Sequence, residues 1–282
     1  MADAITGNTQ LAATKMDLIA AAVQRELAFR AKLVPTISDV SQFAENGLKT
    51  IEFPKLSSFS VAKRTEGSAG DATVLTATTD IMNLDQNAYV AWIIDATSRL
   101  QSRIDAQVQF ATRAAAAHGR QVDLDIITEL EASAGLDLAS VADVSRDNVL
   151  DMIEFVEGND GMLDDSVFLV AVDQKKALLK IDEFTRNDVY GSPVIQTGSI
   201  GQLYGVPVMV HNGLADGQVL LYEKAGCYIG FQKAPTFDEQ KENAYGAGAM
   251  RSVLDQLYGV MAGQQGEKGV GAGLSPLIAK LA

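Results

Sequence analysis

Apolar positions change their period several times along the chain, and each change predicts a different element. Met16, Ile19, Val23 and Leu27 recur three to four residues apart, the spacing of an amphipathic helix. Leu33-Val34-Pro35 ends that helix, because proline disfavours a helical residue before it. Ile51, Phe53 and Leu56 predict a short strand with one buried face. Ser58 to Lys63 and Ala72 to Thr79 then read as two extended runs around the tip Arg64-Thr65-Glu66-Gly67-Ser68-Ala69-Gly70-Asp71. An isolated two-stranded hairpin is marginal in water. This ribbon, with no core of its own in the pattern, is therefore expected to lie on something else, such as a neighbouring copy.

Tyr89 to Ile94 is β-rich and brings the chain back to the body. The longest periodic stretch follows: Ile104, Val108, Ala111, Ala115, His118, Val122, Ile126 and Leu130 form one stripe on a helix of about seven turns, a rod of about 40 Å. Ser145 is placed to cap a helix carrying Val149, Ile153 and Val156, with Gly158 as its stop. Val167 to Val172 predicts a buried strand, and Asp173 a cap for a short helix with Ala177, Leu178 and Ile181. Val206 to Val210, Val219 to Tyr222 and Cys227 to Phe231 predict further strands. Ala234-Pro235 opens a polar stretch through Glu242, and Met250 to Met261 closes the folded part. Gly263, Gly266, Gly269, Gly271 and Gly273 mark a tail expected to be a flexible or surface-laid strap. The pattern as a whole predicts an α+β fold.

Charge narrows the possible partners. The 23 Lys+Arg against 36 Asp+Glu leave a formal net charge of −13, which disfavours tight general binding of nucleic acid, since phosphate contacts need clustered cations. Such a surface suits a container better than a clamp. Cys227 is the single cysteine, so no disulfide can form within the chain and a reducing compartment is the default. The first residues carry no basic segment or apolar core, and no run of about 18 apolar residues occurs, so neither a signal peptide nor a membrane span is expected.

Chemistry-bearing motifs are scarce. No phosphate-loop pattern occurs, and Gly246-Ala247-Gly248 and Gly269-Val270-Gly271 lack the third glycine of a dinucleotide fingerprint. His118 falls on the long helical stripe and is expected to be packed and hydrogen-bonded, while His211 reads as part of a turn before Asn212-Gly213. Cys227, in an apolar run, reads as a core thiol. Asp123 with Asp125, and Asp164 with Asp165, read as solvated acids. No serine sits in a nucleophile elbow. No catalytic, cofactor-binding or metal-binding residue is expected. Lys55, Lys63 and Arg64 either meet a neighbour's acids or a nucleic acid, or are merely solvated.

The segment Asn187-Asp188-Val189-Tyr190-Gly191 and the run Ile195-Gln196-Thr197-Gly198-Ser199-Ile200-Gly201-Gln202-Leu203-Tyr204-Gly205-Val206-Pro207-Val208 through Asn212 resemble the major capsid proteins of tailed bacteriophages, those with the Hong Kong 97 fold. Tyr222-Glu223-Lys224-Ala225, Gln232-Lys233-Ala234-Pro235 and Tyr258-Gly259-Val260 resemble later landmarks of that family, in the same order. The resemblance implies an N-terminal arm (1–32), a peripheral-domain strand (33–56), an extended loop (57–86), a peripheral domain with its spine helix (87–145), an axial domain (146–232), peripheral return strands (233–261) and the Gly-rich tail (262–282). It also implies a structural, non-enzymatic subunit that associates with itself into hexamers and pentamers. The resulting icosahedral shell would form in the host cytoplasm around double-stranded DNA, with a separate scaffolding protein, a portal and an optional decoration protein as partners. Phe59, Val61, Lys63, Arg64, Gly67 and Gly70 on the loop, and Gly198, Gly201 and Gly205 in the axial turns, are the assembly residues this reading singles out. Some members join subunits through Lys-Asn bonds, but Lys63 has no assignable Asn partner or catalytic Glu. Two rivals remain at this point: an encapsulin-like compartment for cargo enzymes, and a soluble α+β enzyme whose glycines from Gly198 bind an anion.

Overall fold

The computed structural model describes residues 21, 23, 31–44, 47–56, 63, 77–95, 106–138, 143–159, 161–181, 201–245, 248–262 and 278–281. Chain order begins with β1 (Ser38–Asp39), β2 (Thr50–Leu56), β3 (Ala77–Asn83) and β4 (Gln86–Ile94). Helix α1 (Ala106–Ala132) follows, then β5 (Leu136–Leu138) and α2 (Arg146–Gly158). After β6 (Ser166–Val170) and α3 (Val172–Lys180) come β7 (Gln202–Leu203), β8 (Val206–Val210) and β9 (Val219–Glu223). The long pair β10 (Cys227–Lys241) and β11 (Met250–Ala262) precedes β12 (Ile278–Leu281).

Helix α1 is long because nothing interrupts it. It holds no proline, and Ala114 to Ala117 supply the best helix formers. Its 27 residues span about 40 Å. Ala111, Ala115, His118, Val122, Ile126 and Leu130 are all buried, as the spacing predicts; Val108 is half-buried, and Ile104 lies outside the described residues. The first half of the stripe packs on the four-stranded sheet, ordered β1-β10-β11-β4, through Ala111, Ala114, Ala115, Leu254 and Trp92. Val23, in a helical stretch before the body, joins this cluster. Pro235 has no amide to give to the ladder, and the β10–β11 register shifts around it, between Phe231 and Thr236.

The second half of α1 reaches a six-stranded sheet, ordered β5-β12-β9-β6-β8-β7. Strands β6 and β9 are buried at every position. A strand reads as a continuous apolar run when both of its faces are covered. Val167, Leu169, Leu220 and Tyr222 face Val122, Ile126 and Leu130 of α1. The alternate residues Phe168, Val170, Val219 and Leu221 face Val149, Met152 and Val156 of α2 and Leu178 of α3. Ser145 caps α2 in a reciprocal box with Asn148, as its position predicts. Gly158 stays inside that helix, which ends at Asn159.

Two expectations fail here. The residue capping α3 is Ala171, and Asp173 lies within the first turn, where Oδ2 accepts the Gly217 amide at 2.8 Å. The end of the Gly-rich tail is a strand of the body and not a strap. Ile278, Ala279 and Leu281 are buried, and β12 is inserted between β5, to which it runs parallel, and β9, to which it runs antiparallel.

Candidate assembly surfaces

The extended ribbon starts earlier than its apolar pattern implies. β2 pairs with β3 from Thr50 opposite Asn83 to Leu56 opposite Ala77, so the strand placed before the loop is one side of the hairpin. Its root does have a core. Ile51 and Met82 are buried with Val40, Ala44 and Leu84, and Phe53 stacks on Tyr228 with ring centroids 4.8 Å apart. Two glycines let the root lie this close. A Cβ built at Gly259 would stand 2.2 Å from the Asn83 carbonyl oxygen, and one at Gly230 would stand 2.9 Å from Met82 Cε. On its other face the hairpin exposes Ile81, at 54%. Lys63 is exposed. Phe59, Val61, Arg64, Gly67, Gly70 and Gly198 lie outside the described residues.

Gly201 and Gly205 carry φ values of +69° and +89°. β7 and β8 are joined by Tyr204-Gly205, both at positive φ, the two-residue turn whose twist matches an antiparallel pair. The Gly201 carbonyl accepts the Val208 amide at 2.9 Å. These glycines thus shape the outer end of the six-stranded sheet, where β7 is the edge. At the edge of the other sheet, β4 turns Tyr89 (70% exposed) and Ile93 (42%) outward, opposite Asp255 and Arg251 of β11.

The interior holds more polar structure than its sequence suggests. Asp123 is not solvated but fully buried, whereas Asp125 is half-buried at a cleft and accepts hydrogen bonds from Tyr258 and from Gln121 at 2.8 Å. His211 is buried and bonded to Asp123 at 3.0 Å. The signal for Asp123 was its spacing from Ile126 and Leu130, which puts it on the buried side of α1, whereas Asp125 stands half a turn away. His118 is buried as expected, but neither ring nitrogen completes a hydrogen bond. Burial lowers its pKa from the ordinary value, with the Leu254 backbone and the Asp255 charge opposing. His118 lines a cleft of about 390 Å³ with Ala117, Gln121, Asp125, Tyr258 and the β4 edge.

Burial pushes the Cys227 thiol up, reinforced by the charges of Glu223 and Glu129, so the sulfur stays protonated. Burial likewise raises Tyr258, with Asp125 adding to the shift. Asp164 and Asp165 are exposed, as expected. Among the described residues no group of three His, Cys, Asp or Glu could hold a metal ion, and no helix is long and apolar enough to cross a membrane.

A family model described as phage capsid protein matches residues 30–238. No curated protein matches the chain. Among solved structures, a chain of Mycobacterium phage Che8 is similar at TM-score 0.71 and 16% identity, over 87% of this chain and 89% of that one. A chain from the capsid structure of the cyanophage P-SCSP1u is similar at TM-score 0.70 and 11% identity, over 87% and 86%. The chain of a virus-like particle from Pyrococcus furiosus is similar at TM-score 0.62 and 10% identity, over 95% and 99%.

Proposed function

The chain belongs to the phage capsid protein family, with a structural role in the virion capsid, and from that premise we propose that it is the major capsid protein, the repeating subunit of an icosahedral shell. Copies associate into hexamers and pentamers in the host cytoplasm and enclose double-stranded DNA without reading its sequence. The subunit catalyses nothing. A separate scaffolding protein and a portal take part in assembly, and a decoration protein can be added. The shell expands as DNA enters.

The observation that carries this reading is the hairpin. Its root is locked onto the body by Ile51 and Met82, while Ile81 on the other face is left exposed. The assembly contact is assigned to Phe59, Val61, Lys63, Arg64, Gly67 and Gly70 beyond that root, and the close approach around the capsomer axis to Gly198, Gly201 and Gly205. In this division residues 1–32 are the arm, 57–86 the loop, 87–145 and 233–261 the peripheral domain with the strand in 33–56, and 146–232 the axial domain, with 262–282 as tail. Obligate interfaces bury roughly 2,000 to 5,000 Å². At about 25 cal/mol per Å² of apolar area, that stabilises each subunit by tens of kcal/mol before entropy is subtracted. The net charge of −13 supports a wall along which packaged DNA slides.

Deleting residues 63–71 tests the reading. The subunit should keep its melting temperature, because the root contacts remain, while shells disappear from electron micrographs of the expressed protein. Normal shells from the deletion would remove the hairpin from the argument. One alternative stands beside it, an encapsulin-like compartment enclosing protein cargo, whose fold would be the same. Nucleic-acid and protein analysis of purified particles separates the two.

A further inference from the structure

Asp123 is the most completely enclosed acid among the described residues, at 0% exposure, and its partners come from two segments far from it in the chain. Oδ1 accepts the main-chain amide of Leu33 at 3.1 Å. Oδ2 accepts the amide of Lys32 at 3.1 Å and bonds His211 Nε2 at 3.0 Å. Nδ1 of His211 accepts the Gly213 amide at 3.0 Å, which assigns the ring proton to Nε2 and makes that nitrogen the donor to Asp123. A Cβ at Gly213 would stand 2.9 Å from His211 Nδ1, so the glycine permits the approach.

Two main-chain amides bound by one side chain is the arrangement of a cap, yet Lys32 and Leu33 lie ninety residues from Asp123. Burying a carboxylate costs several kcal/mol unless it is hydrogen-bonded. Three donors offset that cost only while the segment stays in place. The next residues add to the hold. Thr36 Oγ1 donates to the Leu33 carbonyl at 2.6 Å and lies 2.6 Å from the Tyr222 hydroxyl of β9. Leu33 and Ile37 are buried against Val122 and Ile126 of α1 and against Leu220 and Ile229.

We propose that the Asp123 carboxylate is the anchor of the N-terminal segment. It fixes the chain at Lys32 and Leu33 against α1 while the subunit is still free, so the root of the arm is set before copies meet. The anchor joins α1, the end of β8 and the arm root into one unit, and Asp123 and His211 act as positioning residues. Its consequence for shell geometry rests on the proposed function; the anchor itself does not.

Residue-resolved hydrogen exchange on the unassembled full chain tests it. In the wild type, the amides of Lys32 and Leu33 should exchange at least tenfold more slowly than free-chain amides. Asp123→Asn keeps the shape but turns a donor toward donors, and should speed exchange at those two amides at least tenfold while the interior of α1 keeps its protection. His211→Leu, which leaves both main-chain bonds in place, should give a smaller increase at the same amides and carries the test if Asp123→Asn does not fold. Free-chain exchange in the wild type would overturn the anchor. So would unchanged exchange at the two amides in the variants, or an equal loss of protection across α1. Micrographs of cells expressing the same proteins together with their neighbouring genes report separately on the shell: a wild type with protected amides but no particles there would contradict the function and leave the anchor standing.

Discussion

Gly259→Ala places a methyl group where the hairpin root meets the four-stranded sheet. The added Cβ would lie 2.2 Å from the Asn83 carbonyl oxygen, 3.0 Å from the Asn83 carbonyl carbon and 3.1 Å from Leu84 Cδ2. The first two contacts are backbone, so no rotamer change relieves them. β11 and the end of β3 must separate by on the order of 1 Å in a close-packed region. Overpacking of this kind costs about 1 to 3 kcal/mol, which for a chain of this size lowers the melting temperature by about 2 to 12 °C. The damage should be local, because Asn83 ends the hairpin and Met82 beside it holds the root down. Differential scanning calorimetry with hydrogen exchange at residues 77–84 measures both effects, and Gly158→Ala, where a Cβ meets nothing within 4 Å, is the control. A Gly259→Ala protein as stable as the wild type, with the root amides equally protected, would refute the close approach on which the hairpin argument stands.

His118 and Leu281 give two further tests. Burial holds the folded-state pKa of His118 below its ordinary value of 6.5, so the unfolded chain takes up the proton first as the pH falls. Its contribution is complete above about pH 6.5 and is lost on acidification through the interval down to the folded pKa, at no more than about 1.4 kcal/mol per pH unit for one proton. His118→Gln should flatten the urea-midpoint profile there, and an identical profile would contradict the assignment. Leu281→Ala removes a side chain that is 0% exposed in an inserted strand and should cost about 2 to 5 kcal/mol by denaturant titration; an effect below about 0.5 kcal/mol would mean that β12 does not occupy this position.

Much of the framework could be read from residue spacing. The α1 stripe runs for seven turns, too long for any other period to imitate, and Ser145 carries its capping partner three residues on. β6 and β9 are legible because two covered faces demand unbroken apolar runs. What escaped was set by partners distant in the chain. Ile278 to Leu281 is a strand only because β5 and β9 leave a gap for it, and the glycines before it suggested the opposite. The hairpin root was missed for the same reason, since its core comes from Val40, Tyr228 and Met261. Asp123 and Asp125 look alike as a pair. Only the helical angle between them separates a buried acid bound to Lys32, Leu33 and His211 from one at the rim of a cleft.

The proposed capsid role requires a subunit that copies of itself cover. Cryo-electron microscopy of particles from cells expressing the chain together with its neighbouring genes tests it most directly. Closed shells of hexamers and pentamers are expected, in which the hairpin beyond Leu56 and Ala77 of each subunit lies on the next one. A chain recovered only as monomers or small oligomers at high concentration, its hairpin folded back on its own body, would contradict it.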